Sequence, residues 1–278
     1  MIYVLVPAWN EAPTVGLLLW KVRQIFTAFP REYQLLVVDD ASTDGSDAVL
    51  APYARALPLT LLTHRERKGY ARSVEELLRL ATSRTDRPRR DLAVVLQADF
   101  SDPPDDIPEM VKHIESGADL VLADYRRRRG LPRGEALARR LVPLLARRRT
   151  PPLPALEHVG TLKAMRLITL ARVLSARGSR PLLTREGWAA DVELLAAVAA
   201  EARRVEIVPV TSPLPERRRA SRARPLRSVL EVWRALGSGR GAPGSSERPK
   251  AGGGRAERSR APGRDESRGP APASVPSA

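Results

Sequence analysis

The segment LLVVDDASTDGS, residues 35–46, decides the fold. Leu35, Leu36, Val37 and Val38 form an unbroken apolar run, the signature of a strand buried on both faces, as parallel strands are. The run then breaks into Asp39, Asp40, Ser42, Asp44 and Gly45. A strand of this kind delivers polar groups at its C-terminal end, and in open α/β sheets that is the edge where ligands bind. LVPAWNEAPTV, residues 5–15, has the same form and delivers Asn10 and Glu11. Two such strand ends close together suggest a nucleotide pocket lined by carboxylates rather than by a glycine-rich phosphate loop.

Working outward, apolar runs and amphipathic stretches alternate. Strands are expected over 2–6, 34–39, 59–63, 92–97 and 119–123, and helices over 13–28, 45–56, 69–83 and 105–116. The alternation predicts an α/β fold with parallel strands joined by crossover helices. Beyond Tyr125 the pattern changes to a basic helix over 133–149, a Pro-rich break, a strand over 158–166, an apolar helix over 189–202, a strand over 205–210 and a last helix over 225–236. From Gly237 onward the chain is Gly, Pro, Ser, Arg and Ala with almost nothing to bury. Such a composition cannot offset its ordering entropy, so 1–236 is expected to be the folded domain and 237–278 a disordered tail.

Composition narrows the chemistry. There is no cysteine, which excludes disulfides and thiolate metal sites, and a count of three histidines argues against a His-rich zinc site. Any metal is expected to be a hard cation, Mg²⁺ or Mn²⁺, held by carboxylates and phosphates. No stretch reaches the roughly 18–20 apolar residues of a membrane span. The first apolar run ends in Pro7 without a basic leader or a small-residue cleavage site, so no signal peptide is expected and the location is read as cytoplasmic. The net charge of +15 is carried almost entirely by Arg. It admits nucleic acid, an anionic membrane or phosphate ligands, but an Arg-rich, Ala-rich, Lys-poor chain also carries such charge as simple compositional bias.

A third segment, VVLQADFSDPPDDIPEM (94–110), ends its apolar run in Gln97 and Asp99. A carboxylate at a parallel-strand terminus can hold a divalent ion that also binds a diphosphate. The bland alternative places Asp99 in a turn and makes Asp102 a helix cap. Capping is preferred for Asp102. For Asp99 it is not, because an acid directly after a buried apolar run needs a partner.

These segments, in this order, resemble the inverting family-two glycosyltransferases of the GT-A fold, closest to the polyprenyl-phosphate branch that includes dolichol-phosphate-mannose synthase. The match runs through Pro7-Ala8-Trp9-Asn10-Glu11, Asp39 to Ser46, Lys68-Gly69-Tyr70-Ala71 and Gln97-Ala98-Asp99. It continues through Ala123-Asp124-Tyr125-Arg126, Gly160-Thr161-Leu162-Lys163 and Glu186-Gly187-Trp188 to Glu193-Leu194-Leu195. It covers about 3–236. Each motif is weak alone; the ordered set is strong.

The resemblance implies a Rossmann-like, mostly parallel sheet flanked by helices, a nucleotide-sugar donor, and a single displacement with inversion at the sugar's anomeric carbon. Pro7, Asn10, Glu11, Asp39 and Asp40 would hold the base and ribose, and Lys68 and Gly69 would border the nucleotide. The family's Asp-x-Asp motif stands here as Gln97-Ala98-Asp99. Asp99 is then the metal ligand, with the donor's phosphates completing the shell, and Gln97 is left to hydrogen-bond a ribose or a metal-bound water. Arg126, Arg139 or Arg140, and Arg222 in the basic run 216–224 fall where that branch places phosphate-binding arginines, which suits the bidentate guanidinium. For Arg126 and Arg222 a solvated charge competes evenly.

The acceptor is expected to be a polyprenyl phosphate, with a hydroxyl as the alternative. An ionised phosphate needs no base. A hydroxyl does, and Asp191 is the candidate, although a carboxylate there also favours a helix N-terminus. A peripheral contact with an anionic bilayer through basic residues is compatible with this reading. Rival functions are a sugar-nucleotide-binding protein without turnover, favoured by Gln97, and a nucleic-acid binder. The second lacks interleaved aromatics, since aromatics are 4% of residues, so no specific nucleic acid is expected. A nucleotidyltransferase would require a glycine-rich, Lys-bearing loop after the first strand, which is absent from the sequence.

Overall fold

The computed structural model describes residues 1–124 and 162–209. The expected basic helix over 133–149, the helix over 225–236, Arg126, Arg139, Arg140, Arg222 and the tail lie outside the described residues.

Apolar runs become strands at the expected places: β1 (Ile2–Ala8), β2 (Tyr33–Asp39), β3 (Leu59–Thr63), β4 (Leu92–Val95), β5 (Leu120–Asp124), β6 (Lys163–Arg166) and β7 (Val205–Pro209). They form one sheet in the order β3-β2-β1-β4-β6-β5-β7. All pairs are parallel except those of β6, which runs antiparallel between β4 and β5. The strand expected over 92–97 is shorter than its apolar run, and pairing with β6 stops where Val95 meets Lys163.

Side chains alternate across the sheet, and each face takes its own helices. Val4, Val6, Leu35, Val37, Val94 and Val121 pack against α1 (Val15–Ala28), α2 (Ser46–Ala56) and α4 (Ile107–Glu115). Leu5, Leu36, Val38, Val95, Leu122 and Met165 pack against α3 (Tyr70–Arg84), α5 (Leu167–Arg177) and α6 (Trp188–Glu201). The apolar stripe of α3 predicted from sequence, Val74, Leu77, Leu78 and Ala81, is buried on that face. Each such Leu or Val contributes about 1.5–3 kcal/mol relative to exposure.

Two local expectations differ. The helix expected over 105–116 begins at Ile107 after a single 3₁₀ turn, Pro104–Asp106, and that turn starts from Pro103 with no side-chain cap. Asp102, the expected cap, is fully buried just before that turn. Helix α5 follows β6 without a break, with Leu167, Leu170, Val173 and Leu174 on its buried side.

The strand order positions the site. The chain passes from β1 outward to β2 and β3, then returns to lay β4 on the other side of β1. The crevice at such a reversal, beyond the strands' C-terminal ends, is where doubly wound sheets take ligands.

Candidate active site

Three non-glycine residues among those described have φ between 50° and 60°: Asn10 (52°), Ala41 (56°) and Phe100 (57°). They follow β1, β2 and β4, the three neighbouring strands at the reversal. Left-handed backbone outside glycine costs of order 1–3 kcal/mol and persists only where its surroundings over-determine it. For Asn10 and Ala41 the surroundings are hydrogen bonds between the loops after β1 and β2.

The loops after β1 and β2 are interlocked. The Asn10 amide N–H donates to Ser42 Oγ (2.8 Å), and Asn10 Oδ1 accepts from the Thr43 N–H (2.7 Å). The Glu11 N–H donates to Ser46 Oγ at 2.9 Å, and its buried carboxylate accepts from Thr14 Oγ1 at 3.0 Å. Asp44 accepts from the Ala12 N–H and from both the N–H and hydroxyl of Ser46. Burial works to raise the Asp44 pKa, but the Ser46 hydroxyl and the backbone N–H groups outweigh it and hold the carboxyl below its ordinary range. Pro7 and Ala8 close β1 opposite Val38 and Asp39. Asp39 is buried and accepts from the Ser42 N–H at 3.2 Å.

Asp40 is buried and faces the loop after β3. Oδ1 accepts from the Lys68 N–H (2.7 Å) and lies 2.7 Å from His64 Nδ1; Oδ2 accepts from the Gly69 N–H at 2.8 Å. His64 reaches on through Nε2 to Glu76 at 2.9 Å, and the Lys68 ammonium stands 3.7 Å from the same carboxylate. Arg67 lies over the Trp9 ring, 3.4 Å from its centroid, a cation–π contact across the loops after β1 and β3.

Gly69 is at φ +91°, and a Cβ there would stand 2.5 Å from Glu186 Oε1. The close approach that excludes a side chain is therefore that of Glu186. Its Oε2 accepts the Tyr70 and Ala71 N–H groups at the start of α3 (2.9 and 3.3 Å). With Asp40 holding the two preceding N–H groups, two carboxylates of the chain satisfy the α3 N-terminus. Burial raises the Glu186 pKa against the lowering effect of those hydrogen bonds and Arg67.

Gln97 and Asp99 follow β4, next to β1, and are half-buried. Asp99 accepts from the Ser101 N–H at 2.9 Å. Among the described residues no group of three or more acidic, His or Cys side chains is placed to hold a metal. One carboxylate fits a Mg²⁺- or Mn²⁺-type ion only if a ligand's phosphates supply most of the shell, as nucleotide-bound ions allow.

Asp191, in the first turn of α6, is 2% exposed and forms an ion pair with the fully buried Lys163, the first residue of β6. Tyr70 Oη donates to the same Asp191 oxygen at 3.0 Å. The Tyr70 hydroxyl is held well above its ordinary pKa by burial, then by Asp191, with Asp102 adding and Gln97 opposing.

The sheet thus gathers Pro7, Asn10, Glu11, Asp39, Asp40, Gln97 and Asp99 on one edge, with Lys68 and Gly69 on the flanking loop. Sequence reasoning assigned no role to His64, Tyr70, Lys163 and Glu186. Tyr70, Lys163 and Glu186 fall inside motifs that carry the resemblance, and a lysine inside the apolar run of LKAMRLITL (162–170) was a further signal for Lys163; His64 depends on long-range pairing.

Residues 3–172 match the family described as Glycosyl transferase family 2. Among curated proteins, the chain is 29% identical over 118 residues to an undecaprenyl-phosphate 4-deoxy-4-formamido-L-arabinose transferase of Photorhabdus laumondii, covering 42% of this chain and 35% of the relative. It is 28% identical over 129 residues to the transferase of the same description from Pseudomonas paraeruginosa, covering 46% and 37%. The match spans little more than a third of these relatives' lengths. Among solved structures, mannosyl-3-phosphoglycerate synthase of Rubrobacter xylanophilus superposes with a TM-score of 0.58 at 20% identity over 85% of this chain and 72% of that one. Glucosyl-3-phosphoglycerate synthase of Mycobacterium tuberculosis, in a complex with Mn²⁺ and uridine diphosphate, gives 0.53 at 20% identity over 84% and 76%. At this identity the structural likeness speaks for the GT-A fold. With the family match extending over more than half of the sequence, the chain belongs to glycosyl transferase family 2.

Proposed function

We propose that this chain is a nucleotide-sugar-dependent glycosyltransferase that works with inversion on a polyprenyl-phosphate acceptor. The observation that carries the reading is that Asn10, Asp39, Gln97 and Asp99 stand at or just after the C-terminal ends of the neighbouring strands β1, β2 and β4 in a family-2 chain. The curated relatives described as undecaprenyl-phosphate transferases support the acceptor class.

The interlocked loops at Asn10 and Asp39 to Ser46 provide a rigid wall for the nucleoside, with Pro7 and Glu11 at its base. Asp40 acts through the loop it holds, keeping Lys68 and Gly69 beside the pocket. Asp99 would hold a Mg²⁺ or Mn²⁺ ion together with the donor's phosphates, and such an ion neutralises charge on the leaving diphosphate. The acceptor oxygen attacks the anomeric carbon as the bond from that carbon to the donor phosphate breaks, releasing nucleoside diphosphate. Arg126 and Arg222 are proposed to pair with donor or acceptor phosphates.

An ionised phosphate acceptor has no proton to give up. A hydroxyl acceptor would need Asp191 as base, and to serve it Asp191 would have to leave its pair with Lys163. The buried pair therefore favours the phosphate. Among the described residues no helix is long and apolar enough to cross a membrane, and we place the enzyme peripherally at the cytoplasmic face, its basic residues against anionic lipid.

Radiolabelled nucleotide-sugars incubated with undecaprenyl phosphate test the proposal. Label is expected in the lipid fraction. Transfer to soluble hydroxyl acceptors with none to lipid would contradict it.

A further inference from the structure

We propose that His64 is a positioning residue: as a cation bridging Asp40 and Glu76, it holds the loop 64–69, with Lys68 and Gly69, at the nucleotide edge of the sheet. The bridge stands on geometry alone; the ligand that profits from it rests on the transferase reading above.

Loop 64–69 joins β3 to α3, and His64 is its buried residue, while Arg65, Glu66, Arg67 and Lys68 are exposed. The His64 N–H donates to the Asp39 carbonyl at 2.9 Å, just past the last β2–β3 pair, Asp39 with Thr63. The far end of the loop is tied to Asp40, which accepts the Lys68 and Gly69 N–H groups. The ring therefore grips the same carboxylate that holds the residues beside the pocket.

Counting hydrogens fixes the state of the ring. Nδ1 lies 2.7 Å from Asp40 Oδ1 and Nε2 lies 2.9 Å from Glu76 Oε2. A carboxylate only accepts, and a neutral imidazole has one N–H and one bare lone pair. A neutral ring would thus aim a lone pair at Asp40 or at Glu76. With both nitrogens protonated, each contact has a donor and an acceptor. The charges close in the same way. Asp40 faces the ring from the loop after β2 and Glu76 from α3, with the Lys68 ammonium 3.7 Å from Glu76. Asp39 turns its carboxylate to the Ser42 N–H. Glu186 and Arg67 stand next beyond, acting on each other, with Asp40 also acting on Glu186. Loss of the ring proton to solvent removes a buried cation that offsets two carboxylates, and one-sided loss of a buried pair is costly. Asp40 is then displaced from the ring, and the Lys68 and Gly69 N–H groups move with it.

The test uses the full chain, unmodified and as His64→Gln and Glu76→Gln. Nitrogen-15 resonances of labelled histidine, assigned through His64→Gln, are expected to show both ring nitrogens of His64 protonated at about pH 7; a neutral ring there overturns the proposal. Calorimetry then measures uridine and guanosine diphosphate affinity with Mg²⁺ at about pH 6 and about pH 9, either side of a histidine's proton loss. A glutamine at 76 accepts from a charged ring through Oε1 or donates to a neutral one through Nε2, so Glu76→Gln keeps the bridge and removes its need for the proton. The diphosphate's own titration is common to all variants and cancels in their ratio. Relative to Glu76→Gln, the unmodified chain is expected to lose affinity about threefold to tenfold from the lower pH to the higher, the size of one coupling between neighbouring groups. His64→Gln should bind more weakly at both and show no such fall. A purely architectural His64 would move urea midpoints and leave that ratio flat, and a flat ratio overturns the proposal. Should the unmodified chain bind neither diphosphate, the transferase reading fails, and hydrogen exchange at the Lys68 and Gly69 amides decides the bridge separately. Exchange that accelerates with pH more steeply than in Glu76→Gln upholds it; equal slopes overturn it.

Discussion

Replacing Lys163 by Met removes one half of a buried ion pair while keeping the volume of the stem. Lys163 is fully buried and Asp191 is 2% exposed, so the remaining carboxylate is left with the Tyr70 hydroxyl and the weak favour of its place in the first turn of α6. Breaking a buried pair on one side costs about 3–5 kcal/mol, and the helix terminus returns about 0.3–1 kcal/mol of that. For a domain of this size the net loss corresponds to a fall of roughly 4–19 °C in melting temperature. Lys163→Met/Asp191→Leu removes both charges and fills the space, and its loss should be smaller than that of either single variant. Equilibrium urea denaturation measures this, with the slope monitored so that a shift in midpoint reports stability alone. A loss below about 1 kcal/mol for Lys163→Met, or a double variant as unstable as the sum of the singles, would refute the reasoning that the pair is desolvated and interdependent.

Further outcomes follow from the same geometry. Gly69→Ala should destabilise by about 1–3 kcal/mol through its φ of +91° and the clash with Glu186, and Glu186→Ala should relieve only the clash, leaving the backbone strain, as urea midpoints will read. Glu186 has a folded pKa raised above 4.5, so its contribution is fully present below that value and is lost as pH rises through the folded pKa; Glu186→Gln should flatten that part of the stability–pH curve. Asp44 has the opposite sign: its folded pKa lies below 3.8, and Asp44→Asn should remove stability that is present above 3.8 and lost as pH falls through the folded value. Asp40→Asn disturbs the acceptor of the Lys68 and Gly69 N–H groups and of His64, and should cost about 1–3 kcal/mol together with a several-fold weaker nucleoside diphosphate affinity by calorimetry.

The parts of the fold legible in the sequence were those governed by local pattern. Leu35 to Val38 announced a two-sided buried strand, and the polar residues after it marked the ligand edge, because a parallel sheet presents all its C-terminal ends together. Helix α5 carried a readable period in Leu167, Leu170, Val173 and Leu174, yet it follows β6 without a turn or cap residue, so no boundary marked its start. The antiparallel setting of β6 had no local signal, since strand direction is fixed by connections and not by composition. The site divides in the same way. Asn10, Asp39, Asp40 and Asp99 were legible as types at strand ends. That Asp40 spends its oxygens on residues 64–69, that Gly69 makes room for Glu186, and that Asp191 is paired with Lys163 are consequences of contacts far apart in the chain.

The central claim is that the β1/β4 crevice holds a sugar nucleotide through Asp99 and a divalent ion. Crystals soaked with Mn²⁺ and a nucleoside diphosphate test it most directly through the manganese anomalous signal. The account predicts a peak beside the Asp99 carboxylate, bridged to the diphosphate, with the base against Asp39. A diphosphate and metal seated elsewhere, or a peak that survives Asp99→Asn at full height, would contradict it.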